Sequence, residues 1–324
     1  MLGEHDAKGR TSVLIKTEDV AWTSSSFNLS DHHVLLDSLA LQELSERVSE
    51  TQRAGYTRRS SIHDPDMSRL QLNIRNIQND FLEGCAGYCI VRGLGALDRS
   101  SWASAFRLLS LLLGDLLPQD GTGLLLKEVK DRGTKVGEGV SSRFSDSRYG
   151  GVHTDGAEVP FPLPDYFGLL CVNRALRGGS IQLLSAAAVY RFLEVGYPTH
   201  LATLRQPFHF DRRGDLGQNG ERTIAKPVFF TSGSIICATY LREYINVGHS
   251  HPEVSDLTEE QVAALNALDA MLQDPHLKVE GYLNPGEAIF INNLRLFHGR
   301  TMFEDHREPD KKRLMLRTWI SARH

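Results

Sequence analysis

The chain has 324 residues, 41% of them hydrophobic, and a formal net charge of -4. That apolar content supports a large buried core, and scattered lysines and arginines in a slightly acidic balance give no electrostatic footprint for nucleic acid. The cysteines, Cys85, Cys89, Cys171 and Cys237, contain a single close pair and cannot complete a zinc site of paired cysteines, so free thiols in a reducing cytosol are expected. The opening MLGEHDAKGR lacks the apolar core of a secretory signal. The longest apolar run, Leu108–Leu117, is too short to cross a bilayer and carries Ser110 and Asp115. A cytoplasmic protein without a nucleic-acid or membrane partner is expected.

Residues 1–30 are polar and aperiodic and are expected to form a partly ordered arm, followed by a single domain over residues 31–324. Leu41, Leu44 and Val48 predict an amphipathic helix from Leu35 to about Val48. Tyr56–Ser68 has the composition of an exposed loop, and a second helix is expected over Leu70–Leu82. Gly87–Gly95 has the β-rich centre and glycine brackets of a strand. Trp102, Ala105, Phe106, Leu109, Leu112 and Leu113 fall at helical spacing, and Gly114 and Pro118 end that helix. This helical layer is expected to buttress the strands of the C-terminal two thirds.

After Gly121 short strand-like runs dominate: Tyr166–Val172, Ser180–Leu184, Lys226–Phe230, Ser234–Tyr240, Glu287–Asn293 and Arg313–Ile320. One helix is expected to interrupt them, near 258–273. Thr258 and Gln261 form its capping box, and Val262, Leu265, Leu268 and Leu272 its buried stripe. Helices first and many short strands after predict a mainly β protein, an antiparallel sandwich or barrel flanked by helices.

The stretch GGVHTDGAEV, Gly150–Val159, sets His153 and Asp155 two residues apart, which alternation places on one face of a strand or its end. Such a pair suits a salt bridge, a general base or two metal ligands. His298, in the β-rich Phe290–Thr301, supplies a distant third group. Two imidazoles and one carboxylate occupy one face of Fe(II) and leave three positions open. The pair His249 and His251 lies among turn residues and is a weaker candidate. Downstream, Arg313 and Arg317 share one face of an apolar strand. Buried guanidiniums there are costly unless they meet anions, which structural salt bridges or a bound carboxylate would provide. A zinc-dependent hydrolase or a non-catalytic jelly-roll binding module would use the same three ligands, but zinc would not account for Arg313.

His153–Asp155, Gly178–Gly179, Pro285–Thr301 and Arg313–Trp319 together resemble the Fe(II)/2-oxoglutarate-dependent dioxygenases, in the branch of taurine dioxygenase and clavaminate synthase. Gly87–Leu94 resembles the strand that opens that family's core, so the likeness runs from about Gly87 to the C-terminus. The resemblance implies a double-stranded β-helix, or jelly-roll, with helices outside. It implies Fe(II) on His153, Asp155 and His298, with 2-oxoglutarate and O2 as cosubstrates. The far carboxylate of 2-oxoglutarate would meet Arg313. Arg317 would line the pocket, near 2-oxoglutarate or an anionic group of the substrate. One position departs: the family commonly carries Thr or Ser where this chain has Ile181, and that hydroxyl helps to hold the far carboxylate. Ser180 should face away, so Arg313 or another hydroxyl such as Thr318 is expected to compensate.

Related halogenases lack the carboxylate ligand, so Asp155 implies hydroxylation or a similar oxidation. Ser141–Gly151, with Glu158 and Phe161, is expected to form the mouth and contact substrate, and Phe208, His209 and Asp211 belong to a lid. The expected substrate is a small polar metabolite, an amino acid or an amino-acid-derived intermediate of secondary metabolism. The RGD triplet at Arg213–Asp215 is expected to be fortuitous.

Overall fold

The computed structural model describes residues 20–54, 68–134 and 143–322, with side chains described throughout except at 49–54. The first layer holds β1 (His33–Leu35), α1 (Ser38–Ala54), α2 (Ser68–Asn76), a π-helical turn over Ile77–Leu82, β2 (Tyr88–Arg92) and α3 (Trp102–Leu113). The sheets continue with β3 (Asp115–Leu117), β4 (Lys127–Val129), β5 (Gly151–His153), β6 (Tyr166–Asn173) and β7 (Ile181–Ser185). After an insertion come β8 (Lys278–Gly281), β9 (Ala288–Asn292), β10 (Leu296–Arg300) and β11 (Leu314–Ser321). The insertion carries α4 (Ala186–Gly196), α5 (Pro198–Leu204), two short hairpins, α6 (Arg242–Gly248) and α7 (Glu259–Gln273).

A major sheet runs β1-β2-β9-β6-β11-β3, with β4 also on β11, and a minor sheet runs β8-β7-β10-β5. Pairing is antiparallel except between β1 and β2. The inner faces share one apolar cluster: Tyr88, Phe167, Ile289, Met315 and Trp319 come from the major sheet, Ile181, Leu183 and Leu296 from the minor. Period-two alternation sends the other set outward, where Leu170, Phe290, Leu316 and Ile320 pack on Phe106, Leu109 and Leu113 of α3. Gly168 permits this closeness, because a Cβ there would lie 2.7 Å from the Phe290 ring and 2.9 Å from Phe106. A third cluster joins the inserted helices to Leu184 and Phe297.

Several elements differ from the sequence expectation. The first helix begins at Ser38, later than Leu35, and the second gives way to π geometry after Asn76. Part of the supposed arm is packed: Trp22 is buried and its Nε1 donates to the Ala86 carbonyl at 3.0 Å. Residues 1–19 and 55–67 lie outside the described residues, as do 141 and 142 of the expected mouth. The capping box of Thr258 and Gln261 is present, but Val262 is exposed and Ala264 joins the buried stripe instead. More helix interrupts the strands than expected. The alanine run of α4 has high helix propensity, and the Ser185 side chain caps it by accepting from the Ala188 amide.

Leu109 is fully buried on the outer side of the major sheet, remote from the inner cluster. Leu109→Ala is expected to cost about 2–5 kcal/mol in urea denaturation while leaving divalent-metal affinity unchanged. A parallel loss of metal affinity would show that the outer layer controls the centre.

Candidate metal centre

β5 and β10 pair so that His153 and His298 are direct cross-strand partners. Glycines allow the close approach: a Cβ on Gly299 would lie 2.4 Å from the Gly151 carbonyl oxygen. The two imidazole centroids are 4.6 Å apart. Asp155 follows just beyond the end of β5. Thr154 points the other way, its amide donating to the Tyr240 carbonyl and its hydroxyl accepting from the Tyr240 amide, at 2.8 and 2.9 Å. Gly156, with φ of 78°, turns the chain away after the carboxylate.

Asp155 Oδ1 lies 3.7 Å from His153 Nε2 and 3.8 Å from His298 Nε2, and one donor atom from each residue falls within 4.8 Å of the others. All three residues are buried. Trp319 Nε1 donates to Asp155 Oδ2 at 2.8 Å and Arg317 Nη1 to Oδ1 at 2.9 Å. Burial pushes the Asp155 carboxyl up, but Arg317 and the two imidazoles outweigh it and hold the group well below the usual carboxylate range. Burial, then the neighbouring His298, push His153 down to about 3. Both groups therefore rest near neutral pH as a metal needs them, one anionic and one neutral. His153 Nδ1 lies 3.2 Å from the Gly151 carbonyl, which accounts for that nitrogen and leaves Nε2 toward Asp155. His298 Nδ1 has no hydrogen-bond partner among the described residues. Phe144 stacks on His153 at 4.6 Å and Phe167 lies 4.2 Å from His298, centroid to centroid.

A cavity opens beside this cluster, walled by Val129, Phe167, Leu169, Ile181 and Ile289, with Arg300, Arg313 and Arg317 in its lining. Arg313 is buried, its guanidinium centre is 5.0 Å from the Phe303 ring centroid, and its Nη1 has no hydrogen-bond partner among the described residues. Burial lowers Arg313 to about 10. An unpartnered buried guanidinium is the complement of a ligand carboxylate, and the N₂O donor set suits Fe(II). The residues present thus fit both the metal and 2-oxoglutarate.

Arg317 is held by Gln119, which accepts from Nε at 2.8 Å, and it also lines a second, inner cavity with His153, Asp155, Glu158 and Tyr244. Glu158 is buried, pairs closely with Arg143, and separates this cavity from an outer cleft bordered by Asp120 and Asp215. Two candidates fall elsewhere. Thr318 has the opposite parity to Arg317 on β11, and its hydroxyl lies 2.9 Å from that of Ser110 in α3, on the far face of the sheet. Phe161 is half exposed against Phe230 and lines neither cavity. Ser180 does face away, its hydroxyl occupied by Glu280 and Thr301. His249 and His251 are engaged separately: His249 accepts from the His209 amide and His251 pairs with Asp211.

Sequence reasoning missed Asn293, which is fully buried and clamps the Asp155 peptide. Its Oδ1 accepts from Asp155 N at 2.8 Å, and its Nδ2 donates to the Asp155 and Pro164 carbonyls at 2.9 and 3.0 Å. The one signal for it is a second consecutive asparagine inside an apolar strand run. Lys226 was also missed: its ammonium donates to the Val159 carbonyl at 2.7 Å and Gly156 at 3.3 Å, bracing the turn after Asp155. Arg143 and Gln119 carry no sequence signal for their contacts.

Sheets, cluster and cavity together place a candidate metal site in a two-sheet fold. The chain belongs to the taurine catabolism dioxygenase TauD, TfdA family, whose model matches residues 72–319. A uridine-5'-phosphate dioxygenase from a Streptomyces species is 29% identical over 187 residues, 57% of this chain and 66% of that protein. A taurine hydroxylase-like protein from Stachybotrys chartarum is 24% identical over 192 residues, 59% of this chain and 46% of that protein. The matched stretches thus span less than two thirds of those relatives' own lengths. Among solved structures, asparagine oxygenase with Fe(II), 3-hydroxyasparagine and succinate superposes with a TM-score of 0.64 at 18% identity, over 90% of this chain and 94% of that one. The non-haem iron oxygenase OrfP with Fe and alpha-ketoglutaric acid gives 0.59 at 17% identity with the same coverage.

Asn293→Ala is expected to weaken divalent-metal binding roughly tenfold or more and to cost about 2 kcal/mol by stranding the Asp155 amide, read by metal titration and urea denaturation. Unaltered metal affinity would show that the clamp is dispensable. The apo chain should also lose stability as pH falls from about 6.5 toward 3, because His153 is depressed in the fold and the unfolded chain binds that proton first. His153→Gln should flatten that part of the profile, and an unchanged slope would remove His153 as its source.

Proposed function

We propose that this chain is an Fe(II)/2-oxoglutarate-dependent dioxygenase in which His153, Asp155 and His298 hold the metal, on a jelly-roll formed by the two sheets. The observation that carries the reading is a buried cluster of two imidazoles and one carboxylate opening on a cavity lined by a buried arginine whose Nη1 has no hydrogen-bond partner among the described residues. When bound, Fe(II) with 2-oxoglutarate and O2 supplies the oxidising power to hydroxylate a C–H bond, with release of succinate and CO2.

The chain's own residues position and shield. The three side chains would hold the metal, and Phe144 and Phe167 wall the imidazoles from water. Arg313 takes the far carboxylate of 2-oxoglutarate as a charge-assisted pair. Trp319 and Arg317 keep Asp155 ionised and aimed. The inner cavity receives the prime substrate, with Arg317 toward its anionic group and Glu158, beside Arg143, toward the outer cleft.

The substrate class we infer is a small polar metabolite, an amino acid or an amino-acid-derived intermediate, acted on in the cytoplasm. Support comes from the polar inner cavity and from relatives named for uridine 5'-phosphate and for asparagine. No helix among the described residues is long and apolar enough to cross a membrane.

His153→Ala, Asp155→Ala and His298→Ala should each abolish succinate formation coupled to substrate oxidation while the chain stays folded. Substantial activity in any two would remove the triad. Arg313→Ala should raise the 2-oxoglutarate requirement by roughly 10- to 100-fold with little change for the prime substrate, and an unchanged requirement would take Arg313 out of the site. Arg317→Lys keeps the charge but loses the planar fork. It should weaken prime-substrate binding and uncouple 2-oxoglutarate turnover from product. Normal coupling would leave Arg317 with Asp155 alone.

A further inference from the structure

The cavity beside the metal centre holds more positive charge than these roles use. Its lining contains three guanidiniums, of Arg300, Arg313 and Arg317, against the single carboxylate of Asp155. Asp155 is already engaged by Arg317. Arg300 and Arg313 are both buried, and among the described residues each keeps a nitrogen without a hydrogen-bond partner, Nε on Arg300 and Nη1 on Arg313. Both lie against Phe303, their guanidinium centres 5.6 and 5.0 Å from its ring centroid. Arg300 Nη2 donates to the carbonyls of Phe144, at 2.8 Å, and Ser147. Carbonyl oxygens satisfy donors but bring no net negative charge, and neither guanidinium forms an ion pair among the described residues; Asp305 toward Arg313, and Asp131 and Asp146 toward Arg300, offset the charge only from a distance, and burial outweighs them.

Register places Arg300 more narrowly. It stands two residues beyond His298 on β10, hence on the same inward face. Its cross-strand partner on β7 is Ile181, buried and lining the same cavity. Position 181 is where the family resemblance calls for a hydroxyl on the far carboxylate, and here it offers only hydrocarbon.

We propose that Arg300 is a specificity-determining residue for the cosubstrate, its guanidinium serving with Arg313 as the counter-charge for the far carboxylate beside Ile181. This rests on reading the cavity as the 2-oxoglutarate site. The competing role is purely structural, a brace that ties residues 144–147 to β10 through the two carbonyl contacts. The two roles differ in one respect: the cosubstrate role acts only on ligands that carry the far carboxylate, and a brace acts on all of them.

The test is equilibrium binding to the full chain loaded with Mn(II), a redox-inert stand-in, using 2-oxoglutarate and 2-oxopentanoate, which has the same carbon chain without the far carboxylate. The wild-type chain should prefer 2-oxoglutarate. Arg300→Gln should weaken 2-oxoglutarate roughly tenfold and leave 2-oxopentanoate nearly unchanged. Adding Ile181→Thr to that variant should restore part of the loss. Equal weakening of both ligands, or no weakening of either, overturns the proposal and leaves Arg300 as a brace. If the glutamine variant does not fold, Arg300→Lys decides: it retains the charge and should keep most of the preference, whereas equal loss for both ligands again overturns the proposal. A wild-type chain with no preference for 2-oxoglutarate would instead contradict the reading of the cavity itself.

Discussion

The pairing of β5 with β10, with His153 directly opposite His298, is the contact on which the site depends. Antiparallel pairing brings the two side chains to one face of adjacent strands, and glycine at 299 lets the backbones approach closely where their rings converge. Asp155 then needs only a short turn, and that turn is fixed three ways: by Thr154 on Tyr240, by Asn293 on the Asp155 peptide, and by Lys226 on the carbonyls beyond. A one-residue slip between β5 and β10 would send one imidazole to the opposite face and dissolve the cluster.

Electrostatics complete the arrangement. Burial opposes every charge in this region, and the protein answers selectively. It supplies Asp155 with donors from Arg317 and Trp319, keeps His153 neutral, and leaves Arg313 with a free nitrogen. Arg300 is lowered to about 9 by burial and then by the charge of Arg313. A cavity so short of negative charge favours a small anion over a neutral ligand, and on the proposed reading a dicarboxylate reaching from a bound metal to Arg313 would relieve the imbalance.

Much of this is legible in the sequence because it depends on short-range rules. His153 and Asp155 stand out by spacing, His298 by its position in a β-rich run, and Arg313 by the cost of an arginine in an apolar strand. The same alternation rule, applied throughout, excludes Thr318, whose parity differs from that of Arg313 and Arg317, and points to Arg300, two residues beyond His298. Asn293, Arg143 and Gln119 are not legible in that way, since their roles arise only when distant segments meet. The helices between β7 and β8 are obscured by apolar runs whose period is ambiguous over a few residues. Trp22 shows the opposite failure: a polar, aperiodic context conceals a residue that packs beneath the sheet.

The central claim is that one buried triad and one arginine-rich cavity act together as a chelate site for Fe(II) and 2-oxoglutarate. Anaerobic addition of Fe(II) to the purified chain, followed by 2-oxoglutarate, tests it by visible absorption. The account predicts a weak metal-to-ligand charge-transfer band that needs both components, saturates at one equivalent of each, and is absent from the His298→Ala chain. No band under conditions where the wild-type chain demonstrably binds Fe(II), or an equal band without the histidine, would contradict it.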